Sequence, residues 1–229
     1  MCNNVDNIDP VWEEKYSAGH EQRYPWDNIV SFIYRKYPRD KSRKQVKILE
    51  VGCGTGSNLW FAAREGFNVT GFDCSESAIK KARKRFKEEG LIGDFRVCNF
   101  ANIPYENDMF DLVIDRVALT CAGFELAKVA IREIHRVIRP GGFFYFNPYS
   151  EEHSSSQSGN TGSDGLRHSI SEGPLVGVGK ICFYAKNNVL KALHGWKIHS
   201  MQHLELAETH KPKRMVHAEW RAIASKLIV

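Results

Sequence analysis

Ile48-Leu49-Glu50-Val51 runs directly into Gly52-Cys53-Gly54-Thr55-Gly56, so a short, mostly apolar stretch meets three glycines at alternate positions. A run of this length, bounded by turn residues, fits a strand buried on both faces. Glycine adopts left-handed backbone without strain and lets another group approach the main chain closely. A strand, such a turn and then a helix build the crevice at the carboxyl ends of the strands in doubly wound sheets, where nucleotides bind.

The pattern after Val46 fits that architecture, with short apolar runs alternating with amphipathic stretches, as in a parallel sheet covered by helices. Strands are expected over 46–51, 68–72, 94–98, 110–114 and 142–146, with helices over 58–65, 75–89 and 125–138. Ser75 is a plausible N-cap, and Pro140-Gly141-Gly142 breaks the third helix into the next strand. Residues 150–179 are rich in Ser and Gly and are expected to form a flexible insertion. Beyond them the expectations are a strand over 181–184, a helix over 187–194 and strands over 196–203 and 218–226. Residues 1–45 suggest one or two helices, with Trp12, Tyr16, Phe32 and Ile33 available for packing.

With 229 residues, 42% of them hydrophobic, the chain can bury one substantial core. Met1 to Pro10 lacks the features of a signal peptide and no run is long enough to span a bilayer, so a cytoplasmic location is expected. The six cysteines, Cys2, Cys53, Cys74, Cys98, Cys121 and Cys182, are scattered and suggest neither disulfides nor a metal site. The net charge of +5 gathers in 35–47, 80–87 and 211–214. In 80–87 the stripe Ala78, Ile79, Ala82 and Phe86 makes the basic side a solvent face, so nucleic acid is not an expected partner.

The dinucleotide fingerprint requires a later third glycine where this chain has Ser57, which argues against a pyrophosphate ligand and a nicotinamide dehydrogenase. Asp73 follows the second strand about twenty residues after the first glycine, where a carboxylate reaches ribose hydroxyls; its plainer role is to face a helix N-terminus. Taken with Asn99, Ile103-Pro104 before Phe110-Asp111, and Arg139-Pro140-Gly141-Gly142, the series resembles the successive motifs of class I S-adenosylmethionine (SAM)-dependent methyltransferases, of the small-molecule methyltransferase-domain type.

That resemblance implies an α/β, doubly wound, mostly parallel seven-stranded sheet with an antiparallel last strand, helices on both faces, and SAM as cofactor. Glu50 would hold the methionine amino group. Gly52, Cys53, Gly54 and Gly56 would form the turn around the methionine and ribose, Asp73 would bind the ribose, and Cys74 would lie beside the adenine. Asn99 stands where an aspartate commonly accepts from the adenine amino group, and Phe100 offers its amide N–H and ring. Asp115 would face the departing methyl group. The segment 16–27 resembles the lid of small-molecule members, and Arg23 would pair with the methionine carboxylate.

If the acceptor must lose a proton, Asp115 and His153 are the candidate catalytic bases, although a loop histidine is more often simply exposed. Arg116 would neutralise Asp115 or bind an acidic acceptor. Asn147-Pro148-Tyr149 follows the fifth strand, whereas the Asn-Pro-Pro-Tyr motif of amino-methylating enzymes follows the fourth, so it reads as a decoy. His199 and His203 share one side of a strand without further ligands. The Gly173-Pro174 stretch, Phe183 and the next helix resemble the acceptor-covering region of polysaccharide-pathway and tellurite-resistance-type methyltransferases. The expected activity is methyl transfer to oxygen of a small polar molecule such as a sugar or polysaccharide precursor, with a homodimer allowed. The alternatives are an RNA or protein methyltransferase and a SAM-binding protein without turnover.

Overall fold

A computed structural model describes residues 9–210 and 215–227; Cys2 and the basic group at 211–214 lie outside the described residues. Two helices come first, α1 (Val11–Ser17) and α2 (Asp27–Lys36), followed by β1 (Lys47–Val51), α3 (Ser57–Arg64) and β2 (Asn68–Asp73). Next come α4 (Glu76–Glu88), β3 (Asp94–Val97), β4 (Phe110–Arg116), α5 (Phe124–Val137) and β5 (Ile138–Asn147). The remaining elements are β6 (Asn160–Thr161), β7 (Leu166–His168), β8 (Ile181–Cys182), α6 (Lys186–Ala192), β9 (Lys197–Glu208) and β10 (Met215–Ser225).

Seven strands form one sheet in the order β3-β2-β1-β4-β5-β10-β9. The first five are parallel, and β10 runs antiparallel to both β5 and β9. The expected fold is therefore present, with β10 inserted between β5 and β9. Side chains on β1 alternate between two cores, as the period of two requires. Ile48 packs with α2, α3 and α4 through Ile29, Phe32, Leu59 and Ile79, while Leu49 and Val51 face α5 and α6 through Ile131, Ile134 and Val189.

Local signals explain some of the element ends. Ser75 Oγ accepts from the Ala78 amide at 3.0 Å and caps α4, whose buried face is Ala78, Ile79, Ala82 and Phe86, the stripe read from sequence. Lys80, Arg83, Lys84 and Lys87 stand exposed on the opposite side. Gly141 and Gly142 lie inside β5 at an irregularity in its pairing with β4, so that strand begins four residues before its expected start at 142. The expected insertion at 150–179 contains a 3-10 turn at Ser154–Gln157, and its β6 and β7 join β8 in a small antiparallel sheet that sequence periodicity does not announce.

The amino-terminal edge of the large sheet is tied by Asp111, which is 3% exposed. Its carboxylate accepts from the Lys47 amide at 2.7 Å and pairs with Lys41 at 3.1 Å and Arg139 at 2.6 Å, joining β1, β4 and β5. Replacing Asp111 with Ala removes a charged acceptor from a buried amide, and should lower the unfolding free energy by about 2–3 kcal/mol in urea denaturation.

Candidate active site

The glycine turn after β1 sits against two other segments. Gly52 and Gly54 have φ of 63° and 52°, and a Cβ at Gly52 would stand 2.2 Å from the Ala118 Cβ. At Gly54 it would stand 2.5 Å from the Tyr16 hydroxyl. These glycines thus admit the loop after β4 on one side and α1 on the other. Asp73, at the end of β2, accepts from the Gly54 amide at 2.8 Å and the Ser75 amide at 2.9 Å, holding the turns after β1 and β2 together. Each carboxylate oxygen keeps further acceptor capacity.

Helix α1 closes the crevice from above. Glu13 hydrogen-bonds the Ser75 and Ser77 hydroxyls, and Lys81 donates to the Tyr16 carbonyl, so α1 is docked on α4. Trp12, Tyr16 and His20 form an aromatic group, with ring centres 5.4–6.0 Å apart, over a cavity of about 450 Å³. Glu50, Gly52, Cys53, Gly54, Asp73, Cys74 and Phe100 all line it, along with Arg116, Tyr149 and Leu166 from the ends of later strands.

Three carboxyls meet at the carboxyl ends of adjacent strands: Asp73 on β2, Glu50 on β1 and Asp115 on β4. Burial pushes Glu50 up to about 8 despite a 2.6 Å hydrogen bond from Asn58 Nδ2, with Asp73 and Asp115 adding to the rise. Glu50 Oε2 is buried without a partner. Burial likewise raises Asp73, against the pull of the Ser75 and Gly54 amides. Asp115 rises to about 7 through burial, opposed first by the amide of Leu119. A crevice that combines unpartnered carboxyl capacity with an open main chain suits a cationic ligand bearing hydroxyls.

Other expected site residues lie elsewhere. Gly56 is the N-cap of α3, where a Cβ would press on Ala82 and Phe95 behind the turn. Arg23 is exposed and absent from the cavity wall; its carbonyl accepts from Arg85. Asn99 is also absent from the wall, and its side-chain oxygen accepts from the Ala101 amide. Asp115 is fully buried behind the wall, where Oδ1 accepts from Leu119 at 2.9 Å and fixes the loop that carries Val117 and Ala118.

His153 is not exposed at all. Its Nδ1 accepts from the Ser155 amide, its ring packs on Tyr149 and His217, and it lies off the cavity wall. Burial and then His217 push it down to about 4, against the attraction of Glu219. Asn147 accepts from Asn28 and donates to the Trp220 carbonyl, a structural role. His199 and His203 hydrogen-bond Ser225 and Ser150.

Sequence reasoning missed Asn58, which bonds Glu50 and accepts from the Trp26 amide at 3.0 Å, and His20, which reaches the wall through the fold of α1. Asn58 is the second residue of α3, two places after the last glycine, and that position was a usable signal. Nothing local marks His20.

The fold is a doubly wound domain, with this crevice at the carboxyl ends of β1 and β2. Residues 48–142 match the sequence profile of the family described as "Methyltransferase domain", and this segment is a class I SAM-dependent methyltransferase domain, whose cofactor is SAM. Over 107 residues the chain is 33% identical to the phthiotriol/phenolphthiotriol dimycocerosates methyltransferase of Mycobacterium tuberculosis, covering 46% of this chain and 37% of that protein. It is 37% identical over 102 residues to squalene methyltransferase 1 of Botryococcus braunii, covering 43% of this chain and 26% of the relative. The matches thus span less than half the length of these relatives. A solved SAM-dependent methyltransferase from Methanosarcina mazei shares the fold with a TM-score of 0.67 at 20% identity, covering 90% of this chain and 100% of the other. Among the described residues no helix is long and apolar enough to cross a membrane.

The residues present fit this cofactor: the orphaned Glu50 oxygen suits an ammonium group, Asp73 has spare acceptor capacity for ribose hydroxyls, and the glycine turn leaves room beside the main chain. Glu50 also gives a pH signature. Because its folded pKa lies above the unfolded value of 4.5, the folded state binds more protons between pH 4.5 and about 8, and stability falls as pH rises through that window. Glu50→Gln removes this term. Urea midpoints of the ligand-free variant should gain on the native protein as pH rises from 5 to 8, and a constant difference would contradict the buried, raised carboxyl.

Proposed function

We propose that this protein transfers a methyl group from SAM to an oxygen atom of a small polar acceptor. The observation that carries the reading is the continuity of one cavity, from Glu50 and Asp73 at the ends of β1 and β2 to Arg116 and Tyr149 after β4 and β5. Its volume of about 450 Å³ lies within the usual range for small-ligand sites, roughly 300–1,000 Å³. In this reading the described part of the 1–45 segment is a lid and the insertion at 150–179 supplies the outer wall, through Asp164 and Leu166.

SAM supplies an activated methyl on a sulfonium, displaced in line, so the protein's main work is alignment, and alignment alone contributes several kcal/mol or more. Glu50, held by Asn58, would receive the amino group. Asp73 would receive the ribose hydroxyls, with Cys74 and Phe100 beside the base. Asp115 acts behind the wall by fixing the loop at 117–121.

The far wall favours an oxygen-bearing acceptor over an amine, because it offers donors. Arg116 and Tyr149 stand there, and both oxygens of Asp164 accept from the Glu125 amide at 2.9–3.0 Å. His20 is an imidazole on the cavity wall, and in this reading it replaces His153 as the candidate proton acceptor for a hydroxyl. The relatives' acceptors do not transfer, since the family match ends at residue 142, before Tyr149 and Leu166.

Calorimetry with SAM and S-adenosylhomocysteine, followed by transfer of labelled methyl to a panel of alcohols, phenols, acids and amines, tests the reading. Labelled ethers or esters are expected. Binding without turnover on any acceptor would mean a SAM-binding scaffold, and label on amines alone would overturn the oxygen assignment. Asp73→Ala should weaken SAM binding by about 1–3 kcal/mol. At pH 7 SAM binding should release up to about one proton as Glu50 ionises, read from calorimetry in two buffers of different protonation enthalpy.

A further inference from the structure

Arg116, at the end of β4, is the cavity's unexplained cation. Its side chain is only 7% exposed, yet Nε and Nη1 have no hydrogen-bond partner. Nη2 lies 3.5 Å from Glu219 on β10, a long contact, and the Tyr149 phenol lies against the guanidinium. A guanidinium carries five donors in one plane, and a buried one this poorly matched calls for a further partner.

Glu219 cannot be that partner in full. It is wholly buried and already accepts from Arg221 Nε at 2.7 Å, with His217 Nε2 at 3.1 Å. Burial would raise its carboxyl, but His217, Arg116 and Arg221 together hold it down at about 2. One carboxylate therefore faces two guanidinium groups, leaving a positive charge unbalanced. Asp115, the preceding residue, turns Oδ1 to the Leu119 amide, and with its carboxyl raised to about 7 by burial it offsets this charge only in part.

The position gives this charge a purpose. Strand order places the cofactor carboxyls on β2 and β1, with Arg116 beyond them at β4, paired in register with Asn147 of β5. The Trp26 ring lies over the guanidinium at 4.2 Å, and the Trp26 amide is held by the same Asn58 that grips Glu50. Stacking covers a face and leaves the donor edge for an in-plane ligand. Val117, Leu126 and Leu166 add apolar surface to the same cavity.

We propose that Arg116 selects the acceptor, which carries an oxyanion group, carboxylate or phosphate, gripped by the guanidinium edge beside Tyr149, on an apolar body seated against Val117, Leu126 and Leu166. The inference rests on the methyltransferase reading above and deepens it by naming the substrate class. A planar fork of donors matches an oxyanion two bonds at a time, and the ligand's charge balances the Arg116–Glu219–Arg221 group. The neutral sugar considered from sequence would leave that charge uncompensated.

The test uses the full chain saturated with S-adenosylhomocysteine and two matched probe pairs, benzoate with benzamide and phenyl phosphate with phenol, titrated at constant ionic strength. At least one anion should bind about tenfold or more tightly than its neutral partner, and the pair that discriminates tells carboxylate from phosphate. Arg116→Gln should abolish the preference, Arg116→Lys should retain part of it, and S-adenosylhomocysteine affinity should stay within about threefold in both. Equal binding of anion and neutral partner, a preference that survives Arg116→Gln, or affinities weaker than about 10 mM for both anions would each overturn the proposal. The comparison on the unmodified protein decides the matter even if a variant does not fold. Failure to bind S-adenosylhomocysteine at the outset would count against the cofactor reading instead.

Discussion

Three buried carboxyls stand side by side at the ends of β2, β1 and β4, and the site is organised around them. A parallel sheet brings the ends of neighbouring strands together, and here each strand ends near an acidic residue. Left alone, such a group is costly, because burial and mutual repulsion both oppose ionisation. The fold answers with local donors: two main-chain amides for Asp73, the Asn58 side chain for Glu50 and the Leu119 amide for Asp115. Glu50 Oε2 and Asp115 Oδ2 are left without partners. On the cavity side that residual mismatch lies at Glu50, which suits the crevice to a cation and, in the reading proposed above, would link its binding to proton release.

The lid follows from the same geometry. Gly54 donates its amide to Asp73 and lacks a side chain, and the vacated space is where the Tyr16 hydroxyl stands. The hydrogen bonds of Glu13 and Lys81 place α1 over the turn and beside α4, so one end of α4 meets both the cofactor crevice and its cover. Strain accompanies the opposite wall. Val117, a β-branched residue, adopts φ of 54°, a conformation costing on the order of 1–3 kcal/mol, and it is held there by the Asn147 carbonyl and by Thr120.

What the sequence made legible was local. The strand, glycine turn and helix, the Ser75 cap, the apolar stripe of α4 and the spacing to Asp73 each depend on a few neighbouring residues, and each appears in the fold where the pattern put it. Side-chain direction did not follow from position. Asp115 sits at the expected strand end, yet its carboxyl turns to the amide four residues on, because that amide at the start of a 3-10 turn lacks a main-chain partner. His153 looked like an exposed loop residue because its burial comes from Tyr149, Phe183 and His217, which are assembled from distant segments. Arg116 was noticed, but only the meeting of β4 and β10 reveals its partners. The small sheet of β6, β7 and β8 escaped because strands of two or three residues carry too little periodicity to register.

The strand order also bears on how the two halves of the crevice come into being. The β1-β2-β3 portion, with Glu50 and Asp73, consists of successive strand and helix units whose partners are near in sequence. The half that holds Arg116 needs β10 to slide between β5 and β9, bringing Glu219 to Arg116 across a long stretch of chain. Contacts of that span bear the larger loop-closure cost and tend to form late. A folding chain would thus assemble the crevice at Glu50 and Asp73 before the surroundings of Arg116 were complete.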